Sequence, residues 1–433
     1  MNKNSIPRNV IFLGLVSLLT DAATEMIYPL LPLFIATLGS GAILLGIIEG
    51  IAETTASLLK LVSGIMSDKL GKRKTLVVAG YTISSLARPL IGVVSDAWQI
   101  ALIRTMDRVG KGIRTSPRDA LIASSVDESI RGKAYGFHRA MDHSGAVLGP
   151  ILCIGTLALL ILVFNFSDLP MILRATFLLA IIPGALAVLT LVFFVKENTD
   201  GMAIGKKFSF SLSAFDGNFK RYLFITALFT LGNSSDAFML FRIQEAMQNS
   251  AALHSLIVSI PLFGAIISRF GDVHVQRQFA NVLFLPLIWS FFHIIKVIFS
   301  TPLGSLSDRV GRKLVINIGW GIYALVYAGF ALLDRLPEEW QIAGTFLLFT
   351  FYAVYYAFTE GAEKAFVADV VPAHLRGSAF GLFNFAIGIA ALPASILFGI
   401  IYNAFGAAAA FGSGAAIAFI SMMMFSFLVK EKH

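Results

Sequence analysis

Residues 64–74 read GIMSDKLGKRK and residues 304–313 read GSLSDRVGRK. Both segments carry glycine, aspartate, glycine and a basic close in the same order: Gly64, Asp68, Gly71 and Arg73 in one, Gly304, Asp308, Gly311 and Arg312 in the other. Each follows one long apolar run and precedes another. A second pair repeats as well: DALIASSVDESIRGKAYG at 119–136 matches KAFVADVVPAHLRGSAFG at 364–381, aligning Arg131 with Arg376 and Gly136 with Gly381. The same motifs in the same order, twice, mean that the chain is built of duplicated halves. In a membrane protein, duplicated halves with a site near mid-depth are the mark of a secondary transporter.

The material between the loops is oily. Of 433 residues, 57% are hydrophobic and 14% charged, with mean hydropathy +0.79, which excludes an ordinary soluble domain. Runs such as RATFLLAIIPGALAVLTLVFFV have about the 20 residues that carry a helix across a hydrocarbon core. No ten-residue blocks alternate with period two, so a β-barrel is excluded. The spans expected are 10–37, 41–66, 75–95, 98–123, 133–162 and 170–195, then 221–245, 281–306, 314–333, 339–370, 377–402 and 406–429. They form an N-terminal half, 1–195, and a C-terminal half, 221–433, joined by a cytoplasmic linker, 196–220, that carries Lys206 and Lys207.

With both termini in the cytoplasm, inside loops and tails collect roughly nineteen Lys and Arg and outside loops about three. The formal charge of +8 is therefore a topology signal, and no nucleic-acid partner is expected. The segment 251–268 is apolar but short and holds Pro261. If it spanned, every later loop would invert, so the region near 246–280 is expected to be an external, non-spanning insertion. The basic start MNKNSIPRN leads into a run containing Asp21, Glu25, Pro29 and Pro32, which reads as a first span and not as a cleaved signal. One cysteine, Cys153, gives neither a disulfide framework nor a thiolate metal cluster, and no metal or cofactor is expected. GxxxxGK[ST], HExxH and a paired GxGD are all lacking, so neither ATP hydrolysis nor intramembrane catalysis is expected.

Against this background, Trp98–Pro150 is crowded with charge: Arg104, Asp107, Arg108, Lys111, Arg114, Arg118 and Asp119, then His138, Arg139, Asp142 and His143. Each charge near the bilayer centre costs roughly 2.5 to 3.5 kcal/mol, so these groups must be paired, hydrated or functional. At about 1.5 Å per residue, Asp21 and Glu25 fall near the middle of span one, Glu49 and Glu53 in span two, and Arg108 and Lys111 near the middle of span four. Asp21 with Glu25, Glu49 with Glu53 and Arg104 with Arg108 are i,i+4 pairs. Two readings follow: a static lattice of ion pairs, or a site in which a carboxylate exchanges an arginine for a proton while surplus cations hold an anion. For protonation the candidates are Glu25 and Glu53, then Asp21 and Asp142. For solute they are Arg108, Lys111, Arg114, Arg139 and His138, because guanidinium groups grip carboxylate or phosphate in bidentate fashion. The other half offers Asn233, Asp236, His293 and Lys296, placed mid-helix in spans seven and eight.

The paired loops resemble the signature loops of the major facilitator superfamily, and the match spans almost the whole chain. The resemblance implies an all-α fold of twelve transmembrane helices in two pseudo-symmetric halves, with the loops latching one state of an alternating-access cycle. Arg108 to Gly112 resembles the family's fourth-helix arginine motif, with Lys111 where glutamine is more usual. Gly136, Gly145, Gly149 and Pro150 are similar to the fifth-helix motif of family antiporters, although Cys153 and Ile154 stand where it has a glycine pair. TDAATEMIYPLLPLF at 20–34 and DRVGKGIRTSPRDALI at 107–122 resemble a bacterial branch of the family with some relatives linked to iron handling. The expectation is a monomeric, multi-pass protein of the bacterial inner membrane, with lipid, protons and a small solute as its partners. It would be a proton-coupled secondary active transporter of a small polar, anionic solute such as an organic acid or a metal-chelate, siderophore-like compound. The alternatives are a drug or metabolite:proton antiporter, and a sensor or assembly protein on the same scaffold that does not transport.

Overall fold

Long apolar stretches punctuated by Asp, Ser, Pro and Gly fold as helices throughout the computed structural model, which describes residues 6–70, 72–126, 131–197, 212–248, 250–371 and 376–431. No strand occurs among the described residues. The helices are α1 Arg8–Glu25, α2 Leu31–Thr37, α3 Ala42–Leu70, α4 Arg73–Ala87, α5 Ala97–Ser124, α6 Arg131–Ala158, α7 Leu169–Leu179 and α8 Ile181–Phe194. They continue with α9 Gly217–Gly232, α10 Ala237–Met247, α11 Ala251–Val258, α12 Pro261–Ile267, α13 Val273–Val310, α14 Arg312–Leu332, α15 Glu338–Val370 and α16 Arg376–Leu428. Side-chain caps set several of the starts, because the first N–H groups of a helix have no partner within it. Asp96 accepts from Trp98 N (2.8 Å), Asp168 from Met171 N (2.9 Å), Asp216 from Phe219 N (2.9 Å) and Ser250 from Leu253 N (3.0 Å).

Among the described residues, ten helical segments are long and apolar enough to cross a membrane. The charge of α5 keeps it out of that set. The last segment is 50 residues long and turns at Gly406, where φ is +83° and a side chain would be strained. α13 starts at Val273, eight residues before the span expected from residue 281, because Asp272 caps it there. α11 and α12 have 8 and 7 residues.

The chain divides into two compact units. One comprises Met1–Gly39, Ile51–Lys206 and Ile260–Gly271; the other comprises Ser40–Gly50, Lys207–Ser259 and Asp272–His433. In the first, Val10, Leu13 and Val16 of α1 pack with Val77 and Tyr81 of α4, Leu121 and Ile122 of α5, and Ala187 and Leu191 of α8. In the second, Trp320 of α14 stacks on Phe229 of α9 and meets Phe425 of α16. Residues 42–50 group with this unit because glycines let the backbones touch: a Cβ on Gly46 would lie 2.3 Å from the Ser395 carbonyl oxygen.

The duplication is visible as one clasp made twice. In the first unit Asn9 donates to the Lys196 carbonyl (3.1 Å) and accepts from Lys196 N (2.8 Å), while Glu197 accepts from Lys74 N (2.7 Å) and Lys74 Nζ donates to the Val192 carbonyl (2.9 Å). In the second, Asn218 donates to the Lys430 carbonyl (2.8 Å) and accepts from Lys430 N (2.8 Å). There Glu431 accepts from Arg312 N (2.5 Å) and Lys313 N (3.3 Å), and Lys313 Nζ donates to the Ser426 carbonyl (2.7 Å). One unit thus ties α1 to the segment that follows α8 and the other ties α9 to the segment that follows α16, and each uses a glutamate to satisfy the helix start just after a signature loop.

Candidate functional site

In the first unit, two close helix contacts place the charged side chains. α6 presents Gly145 and Gly149 to α1: an added Cβ would lie 2.3 Å from the Leu18 carbonyl oxygen at Gly145 and 2.5 Å from Glu25 Cβ at Gly149. That contact seats Asp21 over Gly145 and Glu25 over Gly149. Gly136 has open space around its Cα and Pro150 lies within α6, so the antiporter-like motif contributes packing at two of its glycines. α4 meets α5 through Gly80 and Gly110, each 2.5 Å from the other's carbonyl by the same construction.

Those contacts leave α5 facing several acids. Arg88 Nε lies 2.6 Å from Asp107 Oδ1, and Arg88 Nη1 donates to the Thr20 carbonyl (3.0 Å). Arg104 lies 3.8 Å from Asp107 Oδ2, and its guanidinium sits 5.5 Å from the Tyr28 ring centre. The Arg88 and Asp107 side chains are 4% and 2% exposed, so this is a pair in the interior. One turn on, Arg108 Nη2 lies 3.2 Å from Glu53 Oε1, with Glu53 42% exposed. Arg114 is buried against the face of Tyr81, 4.2 Å from its ring centre, and its Nε and Nη1 groups have no hydrogen-bond partner among the described residues. Asp142 accepts from Ser17 Oγ and lies 3.8 Å from His138 Nδ1 and 3.9 Å from Arg139 Nη1.

Two groups stand out from this lattice. The side chains of Lys111 and Asp21, each residue part-buried, make no hydrogen bond or ion pair among the described residues. The arrangement therefore combines paired charges that brace the helices with a cation and a carboxylate that stand outside those pairs.

In the second unit the structure corrects the placement of Asn233 and Asp236. They do not lie mid-helix; residues 233–236 interrupt the run between α9 and α10. The break is sustained because phenols meet the polar groups that it frees. Tyr323 OH donates to the Gly232 carbonyl (3.1 Å) and to Asn233 Oδ1 (3.2 Å), Tyr327 and Ser234 hydroxyls are 2.9 Å apart, and Tyr352 and Tyr356 both donate to Asp236. Asn233 also donates to Tyr355 OH (3.4 Å), and Ser235 donates to Glu49 (3.0 Å). Irregular backbone within an oily segment is tolerated only where such partners exist. Lys296 pairs with Glu360 (3.4 Å) and lies 4.2 Å from the Tyr356 ring centre; His293 is buried edge-on to Trp289.

The five tyrosines were not among the candidates from sequence. The only signal was their spacing, 323 with 327 and 352 with 355 and 356, which puts phenols on common helix faces. Arg88 and Asp107, which form an interior ion pair in the first unit, likewise carry no role in the sequence reading. Of the signature loops, Gly311 adopts φ +97°, and Arg312 reaches Asp369 (3.4 Å) and Ser307. Arg73 is buried at the start of α4. Gly71 and the side-chain surroundings of Gly64, Asp68, Gly304 and Asp308 lie outside the described residues. Among the described residues, no three His, Cys, Asp or Glu side chains gather as they would around a metal ion.

Repeated halves of apolar helices, each with a polar cluster in its interior, define a multi-pass membrane transporter. The family model for the Major Facilitator Superfamily matches residues 13–292 and 273–433. An uncharacterized MFS-type transporter of Methanocaldococcus jannaschii is 33% identical over 403 residues, 93% of this chain and 90% of that one. The chain belongs to the major facilitator superfamily. The multidrug resistance protein MdtG of Proteus mirabilis is 25% identical over 378 residues, covering 86% and 83% of the two chains. The fold is that of the nucleoside transporter NupG (TM-score 0.70, 16% identity, 99% of this chain and 100% of that one). It is also that of the xylose transporter XylE from E. coli in an inward open conformation (TM-score 0.67, 16% identity, 98% and 96%).

Proposed function

We propose that this protein is a proton-coupled secondary transporter of the cytoplasmic membrane that moves a small anionic solute by alternating access. The topology in this reading has twelve spans: the ten apolar helical segments, α5, and a division of the tenth segment at Gly406. Both ends of the chain face the cytoplasm, in keeping with the charge asymmetry of the loops. α11 and α12 form an external insertion, too short to cross.

The observation that carries the reading is the pairing pattern in the first unit. Asp107 is held by Arg88 and Arg104 and Asp142 lies 3.9 Å from Arg139, whereas Asp21 and Lys111 make no ion pair among the described residues. Asp21 is then the first choice for the transported proton. Glu53 is the second, because a proton on it releases Arg108 toward the anion that Lys111 attracts. Organic acids and metal chelates bearing carboxylates fit that chemistry. Proteoliposomes loaded with a panel of such anions, with and without a pH gradient, test the proposal. Gradient-driven accumulation that Asp21→Asn abolishes and that anion exchange survives is the expected result; transport indifferent to the gradient would sink it.

A second reading, efflux of drugs or metabolites against protons, is favoured by the similarity to the multidrug resistance protein MdtG over most of both chains. It predicts extrusion of uncharged or cationic compounds, and Lys111→Gln would leave that extrusion intact.

A further inference from the structure

The two clasps allow the units to be compared residue by residue. Counting on from the clasp asparagines, Phe12 in the first unit and Arg221 in the second each stand three residues later, preceded by Ile11 and Lys220. Counting back from the clasp lysines, Phe194 and Leu428 each stand two residues earlier. In the first unit the corner is filled: the Phe12 and Phe194 rings stack with centres 4.9 Å apart and planes at 24°. In the second, arginine and leucine occupy those two places and the corner is open. It forms a groove of about 240 Å³ lined by Lys220, Arg221, Phe224, Ile225, Met424 and Leu428.

The groove has two chemistries. Lys220 and Arg221 are exposed and make no ion pair among the described residues, and exposed Lys430 is held at the same corner by its two hydrogen bonds to Asn218. Below them, Phe224 (63% exposed) and Leu428 (46%) form an apolar wall with Met424. A basic rim above an apolar wall, where a membrane-crossing helix ends, complements a molecule with an anionic head and a hydrocarbon tail. We infer that this groove binds an anionic phospholipid, its phosphate on Lys220 and Arg221 and one acyl chain along Phe224, Met424 and Leu428. The inference rests on the topology proposed above, in which the clasp corners lie at the cytoplasmic headgroup level. Anionic lipids enrich that leaflet.

The test uses the full chain in detergent, with phosphatidylglycerol or phosphatidylcholine added and bound lipid counted by native mass spectrometry. Lys220→Ile with Arg221→Phe copies the first unit's residues and closes the corner. Lys220→Gln with Arg221→Gln keeps the groove and removes the charge, so that a folding defect in either variant does not decide the outcome. The wild type is expected to retain one phosphatidylglycerol in preference to phosphatidylcholine, with affinity falling about thirtyfold in the variants, which lose both charges. Equal retention of phosphatidylglycerol by the wild type and both variants would overturn the assignment. So would equal retention of phosphatidylcholine, or displacement of the lipid by inorganic phosphate alone. Transport measured in phosphatidylcholine vesicles separates the two readings: absence of transport in a wild type that binds the lipid would defeat the proposed function and leave the lipid site standing.

Discussion

Substituting Asp107 by asparagine separates charges that brace the helices from charges that serve a cycle. In the wild type Asp107 faces Arg88 at 2.6 Å and Arg104 at 3.8 Å, with all three side chains 4% exposed or less. Neutralising the acid leaves two interior guanidinium groups without their shared counter-ion, and Arg88 is left with the Thr20 carbonyl. Breaking one side of a buried pair costs about 3–5 kcal/mol, because the remaining charge stays in a medium that solvates it poorly. Glu53→Gln removes an acid that is 42% exposed and leaves Arg108, 9% exposed, facing a neutral amide that can still accept its hydrogen bond, so the cost is smaller, about 1–3 kcal/mol. Fluorescence-monitored thermal unfolding of both purified variants in one detergent should place Asp107→Asn furthest below the wild type and Glu53→Gln between the two. Replacing Arg88 and Asp107 together with methionine and leucine should recover part of the loss, since an apolar pair of similar volume removes one of the two guanidinium groups that shared the acid and leaves Arg104 as the other. An Asp107→Asn variant as stable as the wild type, or a Glu53→Gln variant as damaged as Asp107→Asn, would refute the division drawn between the two pairs.

Three further outcomes are expected. Gly145→Ala should destabilise by about 1–3 kcal/mol, because its methyl would meet the Leu18 carbonyl at 2.3 Å and force α1 away from α6. Gly136→Ala, with open space around it, should be neutral or stabilising by up to about 1 kcal/mol; both are read by the same thermal scan. Lys111→Gln should weaken anion binding about tenfold or more, the worth of a charge-assisted hydrogen bond, as measured by the ligand concentration that half-protects the protein from heat. Tyr352→Phe combined with Tyr356→Phe removes both phenols that donate to Asp236, and should slow transport while leaving helix content unchanged by circular dichroism.

Legibility in the sequence followed the range of the forces involved. Apolar helices were readable because the hydrophobic effect acts on each twenty-residue segment by itself, and ten helical segments among the described residues are long and apolar enough to cross a membrane; the repeat of the motifs was readable because they recur in order. Boundaries set by a single local cap were less so: Asp272 starts α13 eight residues early through its bond to His274 N. The break at 233–236 was not readable at all. NSSD within an apolar run is compatible with a helix, and the partners that meet its freed polar groups, among them the phenols of Tyr323, Tyr327, Tyr352 and Tyr356, are brought from α14 and α15 by the tertiary fold.

The same distinction holds at the charged helix. That the residues from Trp98 to Pro150 carry too many charges to be left alone in a membrane follows from the amino acids alone, as do membrane residence and two repeated halves. Which acid meets which base does not follow, because on an α-helix arginines one turn apart point along nearly the same face and their partners come from other helices. Glycine-scale approaches of α4 to α5 and of α1 to α6 decide it: Arg88 with Asp107, Arg108 with Glu53, and Asp21 and Lys111 left over. Composition determines that charge is present, and tertiary contact, working over a few ångströms, decides which of it is spent on holding the helices together.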